Sequence, residues 1–271
     1  MPAIGILAGT GTLPLIVAKQ ALARGCRVVV VGILGEVEPE LAELAHASYA
    51  VPIGQWQSII DTLKRESVQD VYLVGGVSKE LLFESLQLDG RIQRLLAGLG
   101  EKGNNALLAA FVSDLASEGI VVRPQSELVE DIMPGPGVLT NKQPSSQVWA
   151  DIRCGWRIAK AIADLDIGQT VVVKDGAVLA VEAIDGTDAT ISRGGRLAHG
   201  GGVVVKVAKP AQDMRFDIPT IGRDTLETAI NAGIQAIALE AGKALIMEAD
   251  LLIQRADAAG VDIVLVSEQD M

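Results

Sequence analysis

Short runs of β-branched and aliphatic residues, separated by segments of helical spacing, constrain this chain more than any other feature. Ala3 to Ala8, Arg27 to Ile33, Tyr49 to Ile53, Asp70 to Val74 and Ile120 to Val122 read as strands. Leu13 to Arg24, Glu40 to Ala47, Trp56 to Glu66 and Asn105 to Glu118 read as helices between them. The strand runs are apolar at nearly every position rather than at alternate ones, so both faces must be covered. Strands alternating with helices at this spacing need crossover connections, and crossovers make a largely parallel sheet.

Between Pro124 and Ser146 the composition shifts to breakers, Met133-Pro134-Gly135-Pro136-Gly137 and Pro144-Ser145-Ser146. A linker here divides the chain into residues 1–138 and 139–271. The second part reads as mixed α/β. A helix is predicted over Val148 to Asp164, then strands at Thr170 to Val173 and Val178 to Ala183, with Lys174-Asp175-Gly176 as the hairpin turn between them. A short helix begins near Thr187. Met214 to Thr220 reads as extended, Thr225 to Ala232 as helical, and the last strand covers Asp262 to Val266. The predicted fold class is therefore α/β: an N-terminal Rossmann-like, mostly parallel sheet domain and a C-terminal mixed α/β domain, joined by a Pro/Gly-rich linker.

The formal charge is −11, which argues against non-specific nucleic-acid binding and against a polybasic membrane anchor. No apolar run is long enough to span a bilayer, and the start lacks the pattern of a secretory signal. The two cysteines suit a reducing compartment. A cytoplasmic location is expected, with peripheral contact to the inner membrane left open. With aromatics at 3%, any acyl-binding groove must be built from Leu, Ile, Val and Met.

Four constellations could carry chemistry. Gly9-Thr10-Gly11-Thr12 follows the first strand and leads into a helix, where backbone N–H groups can hold an anion. The third glycine of a dinucleotide fingerprint is replaced by Pro14, so a tight turn and a nucleotide site both remain open. Gly75-Gly76-Val77-Ser78-Lys79 closes a later strand, and two such turns at strand ends suggest one shared crevice. Glu182, Asp185 and Asp188 cluster around a sharp turn: they can serve Mg²⁺, or Asp185 and Asp188 can be turn and cap residues. Lys206, Lys209, Asp213, Arg215 and Asp217 form the fourth set. Alternation places Asp213, Arg215 and Asp217 on one face, as a metal-and-phosphate site or as a surface ion-pair stripe. Neither His46 nor His199 has a zinc-site partner in sequence.

Together these motifs resemble the LpxI-type UDP-2,3-diacylglucosamine pyrophosphatases. The resemblance rests on Ile6 through Pro14, Lys102 through Leu108, Leu165 through Gln169, Ala180 through Asp188 and Arg215 through Gly222. The last two are the most specific. The chain departs from the family pattern at Asn104 and Asn105, where acidic residues are usual, and at Thr10 and Thr12, where glycines are usual. The resemblance implies Mg²⁺-dependent hydrolysis of UDP-2,3-diacylglucosamine to UMP and 2,3-diacylglucosamine 1-phosphate (lipid X) in lipid A biosynthesis, by a homodimer. It places the UDP part on the first domain and the diacylated sugar phosphate on the second. The family's essential aspartate falls on Asp217, expected as metal ligand or base. Asp188 and Glu182 follow as metal or water-positioning groups, Arg215 and Lys209 as phosphate clamps, and Gly9, Thr10, Gly11 and Gly75 as the nucleotide crevice. The residues alone leave two other readings open, a dinucleotide-dependent oxidoreductase and a non-catalytic nucleotide- or lipid-binding module.

Overall fold

The computed structural model describes residues 1–76, 88–98, 104–210, 213–215 and 218–271. The chain forms two compact units, Met1–Val129 with Met214–Phe216, and Glu130–Asp213 with Asp217–Met271.

The first unit runs β1 (Ala3–Ala8), α1 (Leu13–Ala23), β2 (Arg27–Gly32), α2 (Pro39–Leu44), β3 (Ala47–Ala50), α3 (Trp56–Arg65), β4 (Asp70–Val74), α4 (Gly90–Ala97), α5 (Asn104–Ser117), β5 (Val121–Val122) and α6 (Ser126–Val129). Its sheet has the order β3-β2-β1-β4-β5, and every neighbouring pair is parallel. The continuous apolar runs are explained by burial on both faces, as at Val28 to Val31, which are fully buried. Trp56, Ile59, Ile60 and Leu63 of α3 and Phe111 and Leu115 of α5 share one core cluster with β1, β2 and β4. Each such buried side chain stabilises the fold by about 1.5–3 kcal/mol. Trp56 sits in that cluster because its indole N–H donates to Asp114 at 2.7 Å, so its polar end is satisfied. Asp89 caps α4, accepting from the N–H groups of Arg91 and Ile92.

The second unit runs through β6 (Gly137–Val138), α7 (Ser146–Asp164), β7 (Thr170–Lys174), β8 (Ala177–Val181), α8 (Gly186–Ala198), β9 (Gly202–Lys206), β10 (Thr220–Ile221), α9 (Arg223–Asn231), β11 (Ile234–Glu240), β12 (Leu245–Ile246), α10 (Ala249–Ala259) and β13 (Asp262–Val266). Its main sheet is ordered β6-β13-β11-β9-β7-β8, and β10 with β12 makes a small second sheet. Strands β9, β11 and β13 are parallel, whereas β6 and β7 are antiparallel to their neighbours, so the sheet is mixed. Gly137-Val138, inside the breaker-rich stretch, is the strand β6 of this sheet.

The Asp-Gly hairpin signal corresponds to a tight turn with φ of +51° at Asp175 and +75° at Gly176. Buried Asp151 on α7 accepts from the N–H groups of both residues, at 3.1 and 2.7 Å, and so ties the hairpin to the helix.

Two expectations are corrected. The helix near Thr187 is not short: α8 has 13 residues. Gly194 and Gly195 let the helix lie close to its neighbours. A Cβ on Gly194 would meet Val172, and one on Gly195 would meet Ala232. The helix ends at His199, in the left-handed region, and the Lys174 ammonium donates to the carbonyls of Ala198 and Gly200 at 2.8 Å each. The stretch from Met214 is not one extended segment. Met214 and Arg215 lie in a turn, and the Met214 carbonyl accepts from the Gln125 N–H at 2.9 Å. Strand alternation therefore does not put Asp213 and Arg215 on a common face, and Asp217 lies outside the described residues.

Candidate active site

The glycine turn of the first unit stands at the point where the strand order reverses, with β2 on one side of β1 and β4 on the other. The turns after β1 and β4 meet there. Thr10 and Gly76 exchange both backbone hydrogen bonds, at 2.8 and 3.0 Å, and the Gly9 N–H donates to Val74 at 2.8 Å. Gly75 has φ of +94°, and a Cβ on it would lie 2.6 Å from the Thr10 carbonyl oxygen. A Cβ on Gly9 would collide with the Gly76 carbonyl. These two glycines are therefore explained by the approach of one turn to the other. Gly11, also at φ +94°, has no such neighbour. Among the described residues, the N–H groups of Gly11, Thr12 and Leu13 have no partner. Gly11 and Thr12 line a cavity of about 380 Å³, to which Leu34, Glu36, Glu38 and Leu41 also contribute. Val77, Ser78 and Lys79 lie outside the described residues.

In the second unit, polar groups gather where β8 and β9 end and β7 begins. Glu182 directly follows β8 and is buried at 8% exposure. Its Oε2 accepts from the Gln169 N–H at 2.9 Å and its Oε1 from the Thr187 hydroxyl at 2.8 Å. Its own N–H donates to the Thr170 carbonyl at 2.9 Å, and Thr170 is the cross-strand partner of Lys206. Lys206, at 7% exposure, donates through Nζ to the Thr187 hydroxyl at 3.2 Å and to the Thr220 carbonyl at 3.0 Å. A backbone cradle completes the corner: a Cβ on Gly168 would run into the Glu182 carbonyl.

The other sequence-predicted groups are distributed around this corner. Asp188, exposed in the first turn of α8, accepts from the Thr225 hydroxyl of α9 through Oδ1 at 2.9 Å. Its Oδ2 has no partner among the described residues. Asp185 is clasped by Arg193 at 2.9 Å and accepts from the Ala183 N–H. The hydrogen bond from Arg193, aided by that N–H, holds its carboxyl below the usual carboxylate range. Asp185 thus serves the turn. Lys209 pairs with Asp166 at 2.5 Å. Among the described residues, no cluster of three or more His, Cys, Asp or Glu is arranged to hold a metal.

Lys206 and Thr187 carry more of this corner than their sequence signals suggested. Lys206 counted only as one member of the set with Lys209, Asp213, Arg215 and Asp217, and Thr187 as the start of a short helix. The available signal was a lysine closing a Val-Val-Val strand run, where its stem must be buried.

The N-terminal domain model of one family, described as the LpxI N-terminal domain, matches residues 3–132, and its LpxI C-terminal domain model matches residues 135–264. The chain belongs to the LpxI family. A curated LpxI relative, UDP-2,3-diacylglucosamine pyrophosphatase LpxI of Caulobacter vibrioides, is 34% identical over 281 aligned residues, covering 100% of this chain and 99% of the relative. Among solved structures, the biotin carboxylase subunit of pyruvate carboxylase aligns at 16% identity over 64% of this LpxI-family chain and 35% of that chain, with a TM-score of 0.29. N5-carboxyaminoimidazole ribonucleotide synthetase from Thermotoga maritima aligns at 15% identity over 69% and 42%, also at 0.29. The chain spans about a third to two fifths of the length of these two structures. In LpxI terms, the Glu182 corner and the Asp188 carboxylate both lie in the region matched by the C-terminal domain, and the glycine-turn cavity lies in the region matched by the N-terminal domain. No helix among the described residues is long and apolar enough to cross a membrane.

Proposed function

We propose that this chain hydrolyses the pyrophosphate of UDP-2,3-diacylglucosamine, with Mg²⁺, to UMP and 2,3-diacylglucosamine 1-phosphate in lipid A biosynthesis. The observation that carries the proposal is the match to a curated pyrophosphatase across both chains in full. The two α/β units supply separate places for the two halves of such a substrate. The UDP moiety is assigned to the first unit, where Gly11 and Thr12, whose N–H groups have no partner among the described residues, line a cavity. The diacylated sugar phosphate is assigned to the second unit.

Mg²⁺ usually takes one or two carboxylates and completes its shell with water and substrate phosphate. The open Oδ2 of Asp188 fits that demand, and a closed protein cage is not required. In this reading Asp188 and Asp217 would hold the ion, which would supply charge neutralisation for the phosphates and a more acidic water. Asp217 is the first candidate for accepting the proton of the attacking water. Glu182 works from behind: both its oxygens are engaged, so it braces Thr187 and Gln169 rather than reaching outward. Arg215 and Lys209 are assigned to the phosphates, with Lys209 exchanging Asp166 for substrate.

The test is UMP release from UDP-2,3-diacylglucosamine by the purified protein. The expected result is turnover that EDTA abolishes and Mg²⁺ restores, and that Asp217→Ala removes while the circular dichroism spectrum is kept. Full activity in Asp217→Ala would refute the assignment of that residue. The resemblance also brings a homodimer into the proposal, which light scattering coupled to size-exclusion chromatography checks.

A further inference from the structure

The structure points to Lys206 and Thr187 as positioning residues for this hydrolysis: we infer that they brace the head of α8 and the Thr220 carbonyl through one buried ammonium. This inference rests on the proposed hydrolase reading for its activity arm and on the geometry of the second unit for the rest.

A lysine is seldom buried unless its ammonium is supplied with acceptors. Lys206 ends the buried strand β9, so its stem is enclosed by the sheet and its Nζ emerges at the carboxyl edge. There it reaches two groups that are distant in sequence, the Thr187 hydroxyl and the Thr220 carbonyl. The direction of the chain is set by proton counting. Thr187 has a single hydroxyl proton and gives it to Glu182 Oε1, which leaves oxygen lone pairs to accept from Lys206. Glu182 is in turn held by the Gln169 N–H. The order Lys206 to Thr187 to Glu182 is thus a charge-assisted line with an ammonium at one end and a carboxylate at the other.

Both ends of this line matter for the proposed chemistry. Thr187 immediately precedes Asp188, whose Oδ1 is fixed by Thr225. Thr220 belongs to the run Arg215 through Gly222, which also contains Asp217 and leads into α9. One ammonium therefore sets the spacing between the head of α8 and the entry to α9. Removing it loosens both together, without removing any group assigned to touch substrate. A misplacement of about 1 Å at a reacting centre is enough to cost roughly 100-fold in rate.

The experiment compares the wild type with Thr187→Val, Lys206→Met and Lys206→Arg. It measures kcat and KM for UMP release, thermal midpoints, and amide hydrogen exchange over residues 218–226. Thr187→Val and Lys206→Met are expected to lower kcat about 10- to 100-fold. KM should stay within about threefold, and exchange at the Ile221 amide, which lies in the β10–β12 ladder, should accelerate, reporting local opening. Lys206→Arg should recover part of kcat, because a cation is restored. Wild-type kcat in Thr187→Val, or unchanged exchange across 218–226 in Thr187→Val, would overturn the inference. If Lys206→Met does not fold, Thr187→Val, which keeps the side-chain shape, decides alone. If the wild type releases no UMP, the hydrolase reading fails, and the exchange arm still decides whether the brace exists.

Discussion

One substitution made at two positions a helical turn apart should change stability in opposite directions. Thr187 and Thr190 both lie in α8. Thr190 has no exposed surface, and its hydroxyl has no hydrogen-bond partner among the described residues. A buried hydroxyl without a partner costs about 1–3 kcal/mol. Valine keeps the branched shape, has nearly the same helix propensity and adds a methyl worth roughly 0.8 kcal/mol when buried. The added carbon also takes up some space, which reduces the gain. Thr190→Val is therefore expected to stabilise the second unit by about 1 kcal/mol, a rise of roughly 2–4 °C in its midpoint. Thr187→Val removes a hydroxyl that both donates to Glu182 and accepts from Lys206. It leaves two buried charged groups short of a partner, and is expected to destabilise by about 2–3 kcal/mol. The assay is thermal unfolding of both variants followed by calorimetry and by tryptophan fluorescence, to which Trp149 and Trp156 contribute from the second unit and Trp56 from the first. A Thr190→Val protein less stable than the wild type would refute the reasoning.

Two more outcomes follow from the geometry. Burial alone would raise the carboxyl of Glu240, but hydrogen bonds from Lys160, Lys243 and the Ala208 N–H outweigh it and hold it below the ordinary glutamate value of about 4.5. Its contribution is complete above that unfolded-state value and is lost as pH falls through the depressed folded value. Glu240→Gln should flatten the acid limb of a stability-against-pH curve below about pH 4.5, and an unchanged limb would count against the pairing. Gly75→Ala and Gly11→Ala should differ although both glycines have φ of +94°. Gly11→Ala meets only backbone strain of about 1–3 kcal/mol, whereas Gly75→Ala adds a clash with the Thr10 carbonyl; equal midpoints in urea unfolding would refute the turn-to-turn packing.

The alternation of apolar runs with helical segments was enough for the α/β class and the parallel character of the first sheet, because burial on both faces leaves a direct trace in residue type. The Asp175-Gly176 turn was legible for a similar reason: few residue pairs accept two positive φ values. The full length of α8 was not legible, since the place of Gly194 and Gly195 in it depends on Val172 and Ala232, which pack against them from other segments. The turn at Met214 and Arg215 was equally hidden, because its carbonyl partner, Gln125, is far away in sequence.

The chemistry divides along the same line. Residue order alone picked out Glu182, Asp188 and the run to Gly222 through the family they resemble. It also marked both glycine turns as features of strand ends. Only the tertiary structure decided that Gly9 and Gly75 serve the contact between those turns, that Asp185 belongs to Arg193, and that Lys206 is a buried brace rather than a surface cation. The physical reason is that strand and helix patterns arise from neighbours a few residues apart. A hydrogen-bonded corner such as Gln169, Glu182, Thr187, Lys206 and Thr220 is assembled by sheet register, which brings together side chains whose local sequences carry no sign of one another.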